Sequence, residues 1–176
     1  MTYPKKQELI ALECTFRWHY GQKRKYTNEP YITHCISVAD IVKSVTDDID
    51  IICAAYLHDV IEDTDIAPLI IDQIFGERVK NLVLQVSDIS KLEDGNRAFR
   101  KQKDLEHLAK ADKDGQTIKL ADLIHNSQSI VKYDKNFAVH YLKEKERLLA
   151  VLTKGNKKLY EMAWDILIQS KLELSL

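Results

Sequence analysis

Apolar residues recur three and four positions apart along most of the chain and nowhere alternate for long with polar ones, so the pattern predicts helices throughout. The densest stretch, Ile51, Ile52, Ala55, Tyr56 and Val60, has the spacing of a buried central helix. Start and stop signals divide the rest. Pro4 opens a first helix that runs to about His19, Gly21 to Pro30 forms a basic loop, and Tyr31 to about Lys43 forms a second helix. Asp47 or Asp48 caps a third, which continues to near Asp63. Pro68 starts a fourth that stops at Gly76, Glu77 to about Val86 follows directly, and a polar segment, Ser87 to Asp94, leads to a charged helix around Asn96 to Lys110. Lys113-Asp114-Gly115 breaks the pattern before Gln116 to Val131; Asn136 to Thr153 and Asn156 to Leu172 complete it. With five glycines and three prolines, there is little punctuation for hairpins. The expectation is an all-α helical bundle, one compact domain over residues 1–176 with no repeat and no linker.

Charge narrows the partners. The 26 basic and 27 acidic residues leave a net charge of -1, which gives no overall field for nucleic acid or an anionic membrane, so any phosphate-binding patch must be local. Cys14, Cys35 and Cys53 are an odd number without metal-finger spacing and read as thiols in a reducing compartment. The N-terminus has no signal-peptide apolar core and no apolar run reaches membrane-spanning length, so a cytoplasmic protein without an obligate protein partner is expected.

Chemistry concentrates in Leu57-His58-Asp59-Val60-Ile61-Glu62-Asp63-Thr64-Asp65. On a continuous helix Glu62 lies over His58 and Asp59, and Asp63 lies over Asp59. Carboxylates packed this closely repel one another unless a cation neutralises them, so the segment reads as a metal site with its own acid/base group. Two ligands are too few for tight binding. His34, at the start of the second helix, and Asp122, a charge interrupting the apolar run Ile118-Lys119-Leu120-Ala121, are the best further candidates. Two histidines and two carboxylates suit a divalent cation, Mn²⁺ foremost, with zinc and iron as alternatives.

The order His34, His58-Asp59, Asp122 resembles the H…HD…D signature of the HD-domain phosphohydrolases. Gly21-Gln22-Lys23-Arg24-Lys25, Glu29-Pro30-Tyr31-Ile32-Thr33-His34, the His58 segment and Lys119-Leu120-Ala121-Asp122 with His125-Asn126 look like the hydrolase domain of the RelA/SpoT homologues, and like the stand-alone small alarmone hydrolases of Mesh type. That family, part of the stringent response, removes the 3′-pyrophosphate from guanosine tetra- and pentaphosphate, (p)ppGpp, to return GDP or GTP. The resemblance implies metal ligands at His34, His58, Asp59 and Asp122 and a catalytic pair at Glu62 and Asp63. A carboxylate outside the ligand set would orient the attacking water and take its proton. It also implies nucleotide contacts at Arg24, Lys25, Asn126 and Ser129, and Arg24 has the planar group that can stack on a base.

Four departures from the family pattern bear on substrate. Cys35 stands where a proline usually follows the metal histidine, and Tyr26-Thr27-Asn28 is one residue longer than the usual Ser-Gly. Leu123 replaces a basic residue after the metal aspartate, and Ser127-Gln128 replaces Met-Arg, which removes two positive charges near the pocket. An altered loop keeps open an HD phosphohydrolase acting on NADPH at its 2′-phosphate or on a nucleoside monophosphate. A non-catalytic module that senses alarmone would need a broken catalytic set, and here that set is complete.

Overall fold

The structure, a computed structural model, describes residues 5–175. Pro4, expected to open the first helix, lies outside them. The described residues form α-helices, one 3₁₀ turn and a single isolated antiparallel bridge between Lys23 and Pro30. They fall into two compact units, divided between Ser87 and Asp88.

The first unit contains α1 (Lys6–Trp18), α2 (Ile32–Lys43), α3 (Ile49–Leu57), the single turn α4 (Val60–Asp63), α5 (Pro68–Phe75) and α6 (Glu77–Val86). Every residue of α3 from Ile51 to Leu57 is buried, and this helix packs against α1, α2 and α6 as its all-round apolar sequence requires. Asp48 caps it by accepting the Asp50 N–H at 3.0 Å. Gly76, at φ 89°, ends α5 in a backbone conformation that costs a glycine nothing and leads straight into α6. The third helix was expected to run through to Asp63. It breaks at His58-Asp59 instead, where the His58 ring donates from Nδ1 to the Ala55 carbonyl at 2.9 Å and so takes the acceptor that a continuing helix would offer to the Asp59 N–H.

The second unit contains a 3₁₀ turn (Leu92–Asp94), α7 (Arg97–Leu108), α8 (Lys113–Tyr133), α9 (Lys135–Leu149) and α10 (Lys157–Glu173). The long α8 packs against α9 and α10, burying Ile118, Leu120, Ala121 and Ile124. Gly115 was expected to separate two helices. It lies instead within the first turn of α8, because Asp112 accepts from the Asp114 and Gly115 N–H groups, both at 2.9 Å, and starts the helix ahead of the glycine. Gly155 is needed for close approach: a Cβ there would fall 2.6 Å from Leu120 Cδ1. The lysines of α7 reach the polar segment before it, Lys101 to Asp88 at 2.6 Å and Lys103 to Asp94 at 2.8 Å.

Candidate metal centre and nucleotide pocket

The break after α3 builds the centre of the first unit. His58 donates from Nδ1 to the Ala55 carbonyl at 2.9 Å and brings its Nε2 to 2.9 Å from Asp59 Oδ2. His34, wholly buried on the first turn of α2, brings its Nε2 to 3.3 Å from the same oxygen and 3.2 Å from His58 Nε2. Ligand atoms of His34, His58 and Asp59 all lie within 4.8 Å of one another. Burial pushes the Asp59 carboxyl up, but the attraction of His58 and the hydrogen bonds of both histidines outweigh it and hold the group well below the usual carboxylate range. Two imidazoles and an ionised carboxylate converging at such distances form a donor set that fits a divalent cation.

Two further side chains support this set. Tyr31, one residue before α2, donates its hydroxyl to Asp59 Oδ2 at 2.6 Å. Gln22 donates from Nε2 to Asp63 Oδ2 at 2.9 Å, while its Oε1 lies 2.6 Å from Nδ1 of the buried His19, whose ring stacks on Tyr31. Sequence reasoning missed both. Tyr31 stands three residues before His34, on the same helical face, which was a usable signal; nothing in the local pattern marks Gln22. Glu62 and Asp63 are exposed on the turn that follows Asp59. That turn preserves the expected neighbourhood of Asp63 and Asp59, since the Asp63 N–H donates to the Asp59 carbonyl at 2.9 Å.

The basic loop is closed by hydrogen bonds from Arg24 N to Glu29 O at 2.8 Å and from Tyr31 N to Gln22 O at 3.0 Å. Its extra residue is accommodated by Asn28 at φ 58°, a left-handed conformation that asparagine tolerates. The Arg24 guanidinium lies 5.8 Å from the centre of the Tyr31 ring, and the Lys25 ammonium lies 4.9 Å from that of Tyr26. Cys35 and Cys53 are buried, no cysteine among the described residues is in a disulfide, and burial pushes the Cys53 thiol up to about 12.

Asp122 stands in the second unit, buried on α8. Lys119 approaches its Oδ2 at 3.1 Å, and Asn126, one turn on, donates to its Oδ1 at 2.6 Å. Ser129, expected on the same pocket, directs its hydroxyl to the Asn126 carbonyl at 3.1 Å. Lys119, Asp122 and Asn126 line a cavity of about 320 Å³ with residues of α7 and α9, among them Arg97, Tyr141 and Lys145.

This combination of helices, His-Asp turn and buried histidine defines a class. The HD-domain family model matches residues 11–156, and the chain belongs to that family. More particularly, it is 36% identical over 132 residues to the guanosine-3′,5′-bis(diphosphate) 3′-pyrophosphohydrolase MESH1 of Drosophila melanogaster, covering 73% of this chain and 72% of that protein. It is 37% identical over 115 residues to the bifunctional (p)ppGpp synthase/hydrolase SpoT of Escherichia coli K12, of which it spans only 16%. Among solved structures, a metazoan ortholog of SpoT described as hydrolysing ppGpp and acting in starvation responses superposes with a TM-score of 0.85 at 28% identity, over 96% of this chain and 98% of that one. The lmo0812 protein of Listeria monocytogenes shares the fold, with a TM-score of 0.65 at 20% identity.

Proposed function

We propose that this protein is a (p)ppGpp 3′-pyrophosphohydrolase that returns GDP or GTP and pyrophosphate. The observation that carries the reading is the convergence of His34, His58 and Asp59 beside Glu62 and Asp63, in a chain that shares 36% identity with a 3′-pyrophosphohydrolase along most of both lengths. His34, His58, Asp59 and Asp122 are the proposed metal ligands, and Mn²⁺ is the proposed ion. A divalent cation held there would supply Lewis acidity toward the attacking water and the phosphate. Glu62 and Asp63 orient the attacking water and accept its proton, with Gln22 fixing the Asp63 rotamer. Attack at the phosphorus next to the 3′ oxygen breaks the bond between them; pyrophosphate departs and the 3′ oxygen takes up a proton.

Arg24 and Lys25 in the loop, and Asn126 on α8, are the proposed nucleotide contacts, with Ser129 acting through the Asn126 backbone. The family model spans both units, which supports their acting as one domain. No described helix is long and apolar enough to cross a membrane, and we assign the protein to the cytoplasm with a small nucleotide as its partner.

The test is incubation with Mn²⁺ and guanosine tetraphosphate beside NADPH and a nucleoside monophosphate, with products resolved by anion exchange. GDP and pyrophosphate from the tetraphosphate alone are expected. Orthophosphate from NADPH or from the monophosphate, with the tetraphosphate intact, would move the chain to another HD substrate class.

A further inference from the structure

Lys145 is 1% exposed and stands among the largest fully buried side chains of the protein. Its Nζ donates to the Leu123 carbonyl at 3.2 Å and to Ser127 Oγ. A lysine ammonium has three donors, so one is left without an acceptor among the described residues, and no carboxylate lies within ion-pair distance. Of the other cations around the cavity, Lys101 pairs with Asp88, Arg97 with Glu144 and Lys119 with Asp122, while Arg147 donates to Gln102 Oε1. A buried cation that lines a cavity without an ion pair, its burial offset only in part by the charge of Asp122, costs stability unless something else supplies a counter-charge.

The two groups that hold Lys145, the Leu123 carbonyl and the Ser127 hydroxyl, stand one turn apart on α8, and Leu123 and Lys145 both line the cavity. We propose that Lys145 is a specificity-determining contact for a phosphate group of the nucleotide in this cavity. The proposal rests on the pyrophosphohydrolase reading for the identity of the substrate. Burial pushes the amine down to about 7, with the charge of Asp122 offsetting part of the shift, so an arriving phosphate favours the protonated form that binds it. A charge-assisted bond of this kind carries about a tenfold to hundredfold difference in affinity.

The experiment compares the protein with its Lys145→Met variant, which keeps the length of the side chain and removes the charge. KM for guanosine tetraphosphate is expected to rise about tenfold to a hundredfold with kcat within about threefold, and the affinity for inorganic pyrophosphate, by calorimetric titration, to fall in step. In the unsubstituted protein, added pyrophosphate is expected to shift the Lys145 side-chain resonance in NMR of lysine-labelled protein; this measurement stands even if the variant does not fold. A folded variant with unchanged KM and unchanged pyrophosphate affinity, or a Lys145 resonance that pyrophosphate leaves unmoved, would overturn the proposal. A protein that cleaves no alarmone would overturn the pyrophosphohydrolase reading, while the titration and the resonance would still decide the role of Lys145.

Discussion

The His34, His58 and Asp59 cluster of the first unit and the cavity of the second are built on opposite terms. The cluster draws His58 and Asp59 from adjacent residues and His34 from another helix, and its charge is organised around one carboxylate oxygen. The cavity collects basic and acidic side chains from α7, α8 and α9, pairs most of them, and leaves Lys145 on a carbonyl and a hydroxyl. One set of groups converges on a single oxygen and the other is spread over three helices, so we propose that reaction chemistry belongs with the first and substrate preference with the second.

Substitutions at the two places should differ in kind. Asp59→Ala removes the oxygen on which both histidines converge, and kcat/KM is expected to fall by about a thousandfold or more in steady-state assays. Lys145→Met should instead stabilise the fold. The pKa of Lys145, about 7, lies below the ordinary lysine value of 10.5, so between these values the unfolded chain binds more protons and stability rises with pH. The cost of burying the amine is thus full below pH 7, and urea unfolding at pH 6 should show a gain of about 1–4 kcal/mol for the variant. That gain should shrink as the pH approaches 10.5.

Tyr31→Phe keeps the ring that stacks on His19 and loses the hydroxyl donated to Asp59. Mn²⁺ affinity, by titration, is expected to fall by about tenfold to a hundredfold with the melting temperature little changed. Away from both sites, Asp48→Ala removes the cap of α3 and one of the two carboxylates that pair with Arg78, Asp50 being the other, at a cost of about 1–2 kcal/mol in chemical denaturation. The Arg78 hydrogen bond holds the Asp48 carboxyl below its ordinary range, so this contribution is present above about pH 4 and fades as the pH falls through the depressed value.

The helices were legible because their apolar stripes and caps are local: Asp48 accepts the N–H expected of a cap, and Asn96 and Asn156, expected only as helix starts, turn out to cap α7 and α10. The break at His58-Asp59 was not, since it depends on a ring nitrogen competing for the Ala55 carbonyl, a contest decided by packing. The ligand trio was readable from residue types and order, yet its support from Tyr31 and Gln22 comes from a loop folding back, which no periodicity records. Lys145 lay open to a stricter reading. Ala138, Leu142 and Leu149 mark the buried stripe of α9, and position 145 falls on it, so a lysine there was a charge on an apolar face.

We propose that His34, His58 and Asp59 form a metal-dependent 3′-pyrophosphohydrolase centre. Guanosine tetraphosphate would be followed by ³¹P NMR with metal-stripped protein, before and after addition of Mn²⁺, in quenched samples from which the ion has been removed by chelation. Loss of the 3′-diphosphate signals and growth of a single pyrophosphate resonance, only after the addition and not with Asp59→Ala, is predicted. Orthophosphate as the product, or turnover that persists in Asp59→Ala, would contradict it.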